Sequence, residues 1–393
     1  MDPKKPTILF LASWYPIPSN PNHGIFIKNH ALALSEYKQV ILVYAYSSLT
    51  KDNDQIIKNN INKNFEEWII SYKKTIFFFP IISGLIKLIR FKASYKKLLN
   101  ELILSNYSIK AIQLNTIFPA AMVLPLFKNK FKVPYTIVEH WSGYLSEDGN
   151  YRGFLLKYVT KKTISLAKKV FYVSEKQKLA MLQNGLTANY KLLYNVVDTT
   201  IFFPNTQLKS KKPMLLHVSS LIEREKNIKG TLRVLKKLQD NNQEIDFYFI
   251  GGTTELVNFY ADFSKKMGLK NIYFLGEKTP IEVADYMKRA HALILFSHFE
   301  GMPVVVLESL ASGLPVFSSS VGQLPYLIKD SFGKLVTPGD EIKLTNLLTE
   351  FLQGHLNFST DEMVEFINKN ASHKVVGKYL NDCYSDFEDS SIN

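Results

Sequence analysis

Short apolar runs alternate with longer stretches of helical periodicity along the whole chain. In the first half, short, mostly apolar runs fall at 8–11, 40–44, 111–114, 135–138 and 170–173, and an amphipathic helix is predicted over 26–36. In the second half they fall at 214–218, 247–250, 272–275, 292–296, 316–318 and 334–336. Helical segments lie between them near 227–238, 254–267, 280–289, 303–311 and 340–353. Runs that lack polar alternation are strands covered on both faces, and strand–helix alternation is the pattern of a parallel sheet. The expected fold class is therefore α/β, with two doubly wound, Rossmann-like domains over 1–198 and 199–372. Their junction is expected near 195–204, where Asn, Asp, Thr and Pro cluster. Residues 47–106, rich in Lys, Asn and aromatics, carry no clear strand signal. The tail 385–393 is acidic and polar and is expected to fray.

Composition narrows the reading. A chain of 393 residues suits two domains, and 46% apolar residues give each a normal core. The net charge of +13 favours an acidic partner. Nearly all of the cations are Lys, as a Lys-, Asn- and Ile-rich codon bias would also produce. No zinc, helix-turn-helix or RNA-binding motif accompanies them, so nucleic acid is not an expected partner. The single cysteine, Cys383, rules out an intrachain disulfide and a thiolate metal cluster, which fits a reducing cytoplasm. No signal peptide is expected at the N-terminus. No run reaches the roughly 18–20 apolar residues of a membrane span.

In open α/β sheets, ligands bind beyond the carboxyl ends of the strands. Those positions are unusual in the second half. Ser219, Ser220, Arg224 and Lys226 follow 214–218, and Gly251 and Gly252 follow 247–250. Ser297, His298, Glu300 and Gly301 follow 292–296, and Ser319, Ser320 and Gly322 follow 316–318. Gly301 lets backbone approach a ligand, and Pro303 suits a first helical turn. The free N–H groups from Val304 onward would face an anion. Glu300 and Glu308 flank that positive helix end, an arrangement suited to a ligand bearing hydroxyls and phosphates. Taken alone, the same residues also read as a helix cap and a solvated helix charge.

The segment Glu300-Gly301-Met302-Pro303 followed by Glu308-Ser309-Leu310-Ala311-Ser312-Gly313-Leu314-Pro315-Val316 resembles the hallmark of the family 4 glycosyltransferases, with two Glu separated by seven residues. Four further segments resemble the family in the expected order. They are Ser13-Trp14-Tyr15-Pro16 through Gly24-Ile25-Phe26 and His30; Glu139-His140-Trp141-Ser142-Gly143; Tyr194-Asn195-Val196-Val197-Asp198 with Phe203-Pro204; and His217-Val218-Ser219-Ser220 with Lys226-Asn227. The resemblance spans residues 7–340. It implies the GT-B fold, two facing Rossmann-like domains with a cleft between, the first binding acceptor and the second binding donor. A final helix near 373–384 is implied to return to the first domain.

The roles that the resemblance implies follow position by position. Glu308 would bind the ribose hydroxyls of a UDP- or GDP-sugar donor, and Glu300 hydroxyls of the transferred sugar. Lys226 would neutralise the diphosphate, with Met302 and Val304 lining the same turn. Gly24 would let the first loop approach the diphosphate, and His140 would sit near the reacting carbon. The family's usual arginine is Ser220 here; Arg224, in the same loop, could replace the missing charge, and Ser220 could still donate a hydrogen bond. Gly322-Gln323 replaces the family's Gly-Gly. Transfer with retention of configuration is implied, with no cofactor and no metal. Asp52-Asn53-Asp54 has the spacing of a metal motif but reads as a turn. Residues 76–99 mix apolar bulk with Lys and Arg. They read either as a segment lying on an anionic membrane, with a lipid-linked saccharide acceptor at the inner face of the plasma membrane, or as a core helix with a solvated Lys face. Envelope polysaccharide or lipopolysaccharide synthesis is the expected pathway. An epimerase or hydrolase of the same fold and a non-catalytic binding subunit are the rival readings.

Overall fold

Strands form where Val, Ile, Leu and Phe predominate, because a parallel sheet sandwiched between helices buries both of its faces. The computed structural model describes residues 5–20, 22–48, 55–74, 80–146 and 148–389. The chain divides into two units. One comprises Met1–Val173, Gln177–Leu193 and His373–Asn393; the other comprises Ser174–Lys176 and Tyr194–Ser372. The division falls at Leu193/Tyr194 rather than after residue 198. Asn195 is already held inside the second unit, where its Nδ2 donates to the Met302 carbonyl at 2.9 Å.

The first unit contains β1 (Lys5–Ala12), β2 (Gln39–Ser48), β3 (Ile56–Asn62), β4 (Phe65–Lys73), β5 (Tyr107–Asn115), β6 (Tyr135–Glu139), β7 (Lys169–Tyr172) and β8 (Tyr190–Leu192). They form one sheet in the order β3-β4-β2-β1-β5-β6-β7-β8, with β3 antiparallel to β4 and every other pairing parallel. The β3–β4 hairpin lies where no strand was expected. As the sheet edge, β3 is polar and largely exposed, which blunts pairing with other chains. The apolar pattern of β4 is interrupted by Glu66 and Glu67, the latter held by Lys28 at 2.9 Å. Asp52-Asn53-Asp54 and residues 76–79 lie outside the described residues.

Parallel pairing requires crossover connections, and their helices cover both faces of this sheet. Helices Pro80–Leu104, Leu124–Phe131 and Phe154–Ser165 send Tyr95, Leu98, Phe127 and Ile164 into one core with Leu9, Leu11, Ile41 and Val43. Helix Ile25–Ser35 is met by the final helix, His373–Asp389, whose Lys374 carbonyl accepts from Tyr37 Oη at 3.1 Å. Tyr384 is fully buried and bridges Gln113 at 2.7 Å and Thr136 at 2.9 Å. This helix runs beyond the expected end at 384, because Tyr384 and Phe387 are buried and Asp386 reaches Lys169 at 3.3 Å. The fraying expected from 385 is therefore not seen up to Asp389.

The second unit contains β9 (Met214–Val218), β10 (Asp246–Ile250), β11 (Ile272–Phe274), β12 (Ala292–Leu295), β13 (Val316–Ser319) and β14 (Gly333–Val336). All are parallel, in the order β11-β10-β9-β12-β13-β14. The order reverses between β9 and β12, the point where doubly wound sheets open a crevice at their carboxyl ends. In the first unit the reversal falls between β1 and β5. Among the described residues no helix is long and apolar enough to cross a membrane.

A Cβ added at Gly377 would lie 2.2 Å from the Ala33 carbonyl oxygen, so the final helix touches helix Ile25–Ser35 backbone to backbone. Gly377→Ala should therefore destabilise the protein by about 1–3 kcal/mol, read as a lower urea midpoint at unchanged slope. An unchanged midpoint would contradict this packing.

Candidate functional site

The loops after β9 and β12, on either side of the strand-order reversal, are joined by an ion pair. Lys226 ends the short helix Glu223–Lys226, and its Nζ lies 2.7 Å from Glu300 Oε1. Ser297 Oγ donates to the same oxygen at 2.7 Å. The His298 N–H donates to the Glu225 carbonyl at 2.8 Å, so the two loops are also bonded through their backbones. Both ends of the pair are largely buried. Burying opposite charges is tolerable only with close geometry and added hydrogen bonds, and Glu300 has both.

The β9 loop is held from beneath by a relay. The buried His217 ring bonds the Ile294 carbonyl through Nδ1 at 2.9 Å and Ser219 Oγ through Nε2 at 2.7 Å. Ser219 Oγ in turn accepts the Leu221 N–H at 3.0 Å. Burial, with the Lys226 charge adding to it, holds the His217 pKa down at about 3, so the ring is neutral. With Nδ1–H donating to the carbonyl, Nε2 accepts from Ser219, which fixes the tautomer. Gly251 has φ +102°, and a Cβ there would lie 2.0 Å from the Ser219 carbonyl oxygen, so the loop after β10 presses onto this one.

The β12 loop leads into helix Val304–Ala311. Pro303 is its N-cap, with φ −68° and ψ 120°, rather than a residue of the first turn as expected, and no side chain caps the helix. The Val306 N–H is taken by the Pro303 carbonyl at 3.1 Å, which leaves those of Val304 and Val305 for another acceptor. A side chain at Gly301 would meet nothing within 4 Å, so space lies open over this turn. The turn is also braced from behind. The Gln323 N–H donates to the Gly301 carbonyl at 2.9 Å, and a Cβ at Gly322 (φ +58°) would lie 2.2 Å from the Glu300 carbonyl oxygen. The Asn195 N–H reaches Met302 Sδ at 3.3 Å.

Glu308 lies on the same helix, half-buried, and burial alone pushes its pKa from the ordinary 4.5 to about 7. Among the described residues its carboxylate has no salt-bridge partner. Arg224 is exposed with its guanidinium 5.7 Å from the Phe299 ring centroid, and Ser220 is also exposed. The predicted residues of the second unit thus gather on two bonded loops and one helix start. Sequence reading did not anticipate the direct Lys226–Glu300 pair, the His217–Ser219 relay or the Ser297 bond. Only the placing of Ser219 and Ser297 just beyond strand ends pointed toward them.

The first unit holds the other two predicted residues together. Gly24 has φ +69°, and a Cβ there would lie 2.8 Å from the Trp14 carbonyl carbon, so the loop after β1 closes on itself backbone to backbone. Phe26, two residues on, stacks on the His140 ring at 4.0 Å, and His30 lies 5.7 Å from it. His140 Nε2 is buried without a hydrogen-bond partner. Burial and the neighbouring His30 hold this imidazole well below its ordinary pKa, hence neutral. Its loop hangs on Glu139, which the sequence reading quoted without a role. The fully buried Glu139 carboxylate accepts the N–H groups of His140, Trp141 and Ile117 and the Tyr144 hydroxyl at 2.9–3.1 Å. Burial raises its pKa to about 6 in spite of those four bonds.

Two parallel-sheet units with these carboxyl-end loops define the GT-B class. A protein of Anabaena (HepE), solved in complex with UDP-glucose, superposes with a TM-score of 0.70 at 17% identity, over 97% of this chain and 99% of that one. Residues 198–373 match the family model for glycosyl transferases group 1. It is 26% identical over 282 residues to an uncharacterized glycosyltransferase of Methanocaldococcus jannaschii, 70% of each chain. It is also 26% identical over 197 residues to the lipopolysaccharide 1,6-galactosyltransferase of Salmonella typhimurium, 48% of this chain and 54% of that one.

Two stability outcomes follow. Lys226→Met leaves the Glu300 carboxylate buried and unpaired and should cost about 3 kcal/mol. The double variant Lys226→Met/Glu300→Gln should recover a large part of that in urea melts; equal losses would mean that the two residues do not interact. For Glu308 the folded pKa lies above the unfolded one, so its contribution is complete below about pH 4.5 and is lost as pH rises through about 7. Relative to Glu308→Gln, the wild type should lose up to about 3 kcal/mol across that window. A constant difference between the two proteins would refute the shift.

Proposed function

We propose that the protein transfers a sugar from a nucleoside diphosphate sugar to a hydroxyl of a saccharide or lipid-linked saccharide, with retention of configuration. The observation that carries this reading is the uncapped start of helix Val304–Ala311 beside the Lys226–Glu300 pair. Lys226 ends one loop, and its ammonium keeps two further N–H donors after meeting Glu300. Those donors, Arg224 and the N–H of Val304 supply positive potential to a leaving diphosphate, where charge develops as the bond to the anomeric carbon breaks. Glu300 receives its two bonds on Oε1. Its other oxygen is the natural acceptor for a sugar hydroxyl.

As the anomeric carbon leaves the phosphate oxygen, the acceptor oxygen bonds to it, and the acceptor proton passes to the departing phosphate. No side-chain nucleophile is needed, and the positive groups of this chain do the work that a metal does elsewhere. Glu308 accepts the two ribose hydroxyls as a carboxylate, a state that donor binding favours by replacing its apolar surroundings with hydroxyl donors. His140, neutral, and Gly24, whose lack of a side chain permits the tight loop after β1, are the first unit's candidate donor-contacting residues.

UDP is the nucleotide to test first, since the Anabaena neighbour is solved with UDP-glucose. The name of the Salmonella relative supports an envelope saccharide as acceptor. A lipid-linked acceptor would place the enzyme at the inner face of the plasma membrane, where the exposed Leu85 and Ile89 of helix Pro80–Leu104 would lie against anionic lipid, its Tyr95 and Leu98 being held in the core.

A panel of nucleotide sugars should give one outstanding rise in melting temperature, because ligand binding stabilises the native state by mass action. With that donor, Lys226→Ala should lower turnover by about 10²–10³-fold, and Glu300→Ala should lose both hydrolysis and transfer. Wild-type rates in Lys226→Ala would remove the diphosphate from this site. Turnover that never needs an acceptor would favour an epimerase or hydrolase.

A further inference from the structure

The positive charge of the chain is not spread over it. Residues 80–174 hold 15 Lys and Arg against four Asp and Glu, so all but two of the net +13 charges arise in this span. One of the four acids, Glu139, is fully buried and bonded. The span supplies the helices Pro80–Leu104, Leu124–Phe131 and Phe154–Ser165, which cover one face of the first unit's sheet and share its core. Ten of the fifteen cations, against Glu101 alone among the acids, lie on these helices, so their outer sides form one basic layer.

The third of these helices is unusual in a second way. Its inward side, Thr160, Thr163 and Ile164, is buried, whereas Phe154 is 84% exposed, Leu155 59% and Tyr158 54%. The Phe154 and Tyr158 rings stack at 6.1 Å and 16°, one helical turn apart, which holds them as a single apolar ridge. Lys157, Lys161 and Lys162 flank that ridge and are all exposed. Between residues 149 and 174 there is no carboxylate at all. Leaving a phenylalanine and a leucine in water is unfavourable unless something apolar covers them.

We infer that the ridge of helix Phe154–Ser165 docks on an anionic lipid bilayer. Phe154, Leu155 and Tyr158 enter the headgroup boundary, and Lys157, Lys161 and Lys162 meet the lipid phosphates. Charge complementarity selects an acidic partner, and the exposed leucine and phenylalanine select one that is also apolar at the contact. Nucleic acid satisfies the first demand and leaves Leu155 without a partner. The inference extends the peripheral-membrane reading given above for residues 76–99. It names a different anchor and does not depend on the donor chemistry.

The test is sedimentation of the full-length protein with vesicles of phosphatidylcholine, with and without 30% phosphatidylglycerol. The wild type is expected to pellet only with the anionic vesicles and to be released by about 0.5 M salt, where charge attraction is screened. Phe154→Ser/Tyr158→Ser should weaken partitioning about tenfold, and Lys157→Glu/Lys161→Glu/Lys162→Glu should abolish it. Hydrolysis of a soluble nucleotide sugar should stay at the wild-type rate in both, which separates lipid docking from the donor site. Absence of wild-type pelleting overturns the inference. So does pelleting that survives Phe154→Ser/Tyr158→Ser but is lost in Leu85→Ser/Ile89→Ser, a result that would leave the 76–99 reading standing. Binding to poly(U) without vesicle binding would make the layer a nucleic-acid face and would also sink the proposal.

Discussion

The ion pair between Lys226 and Glu300 sets the terms for the rest of the candidate site. A buried carboxylate is costly, and so is a buried ammonium; together, at 2.7 Å, they are tolerated. Their pairing fixes two loops that leave different strands of the sheet, on either side of the point where the strand order reverses. The Ser297 hydroxyl and the His298 amide add bonds that only this spacing permits. Behind Glu300, the close approach of Gly322 leaves no room for a side chain. The pair is thus held in place before any ligand arrives, and electrostatic stabilisation of a transition state asks for groups that need not reorganise when charge develops.

The parts legible in the sequence were those governed by one strong local rule. In the second unit the strands are short apolar runs between well-capped helices. Helix Pro280–Arg289, for example, starts with a full capping box between Thr279 and Glu282 and was expected at the same residues. The β3–β4 hairpin escaped because it breaks the rule twice. Its edge strand is polar where water covers it, and β4 carries two glutamates whose partners, Lys28, Tyr15 and Tyr107, come from distant parts of the chain. Tertiary partners of that kind leave no periodic trace. The same reason explains the site. Glu300, Glu308, Lys226 and the glycines stood out by their positions after strands. The relay from His217 through Ser219 depends on a carbonyl of β12, 77 residues away, and no spacing rule reports it. Pro303 was one residue out because a proline in a helix cap and one in a first turn look alike in sequence.

Glu139 and His140 show how a fully buried carboxylate can fix the position of a neighbouring ring. Four donors converge on the Glu139 carboxylate, and three of them are backbone amides of its own loop and of the loop after β5. Those amides would otherwise be buried and unsatisfied. With them anchored, the His140 ring is pinned between Phe26 and His30, and its neutral form is favoured by burial. A neutral imidazole can donate through one nitrogen and accept through the other, which suits contact with hydroxyls better than a charged ring would.

Composition taken over a whole chain averages away the pattern that matters. A net charge of +13 spread evenly would be weak, since exposed charges separated by more than about 10 Å are screened at ordinary salt. Ten cations gathered on three neighbouring helices, against the single acid Glu101, produce a surface potential that steers and holds an acidic partner. A codon bias would explain the choice of lysine over arginine. It does not account for the loss of acids from one span, because in the remaining residues Lys and Arg exceed Asp and Glu by only two. Segregation of this kind needs a cause at the protein's surface, and the exposed Phe154–Tyr158 ridge in its midst limits what that cause can be.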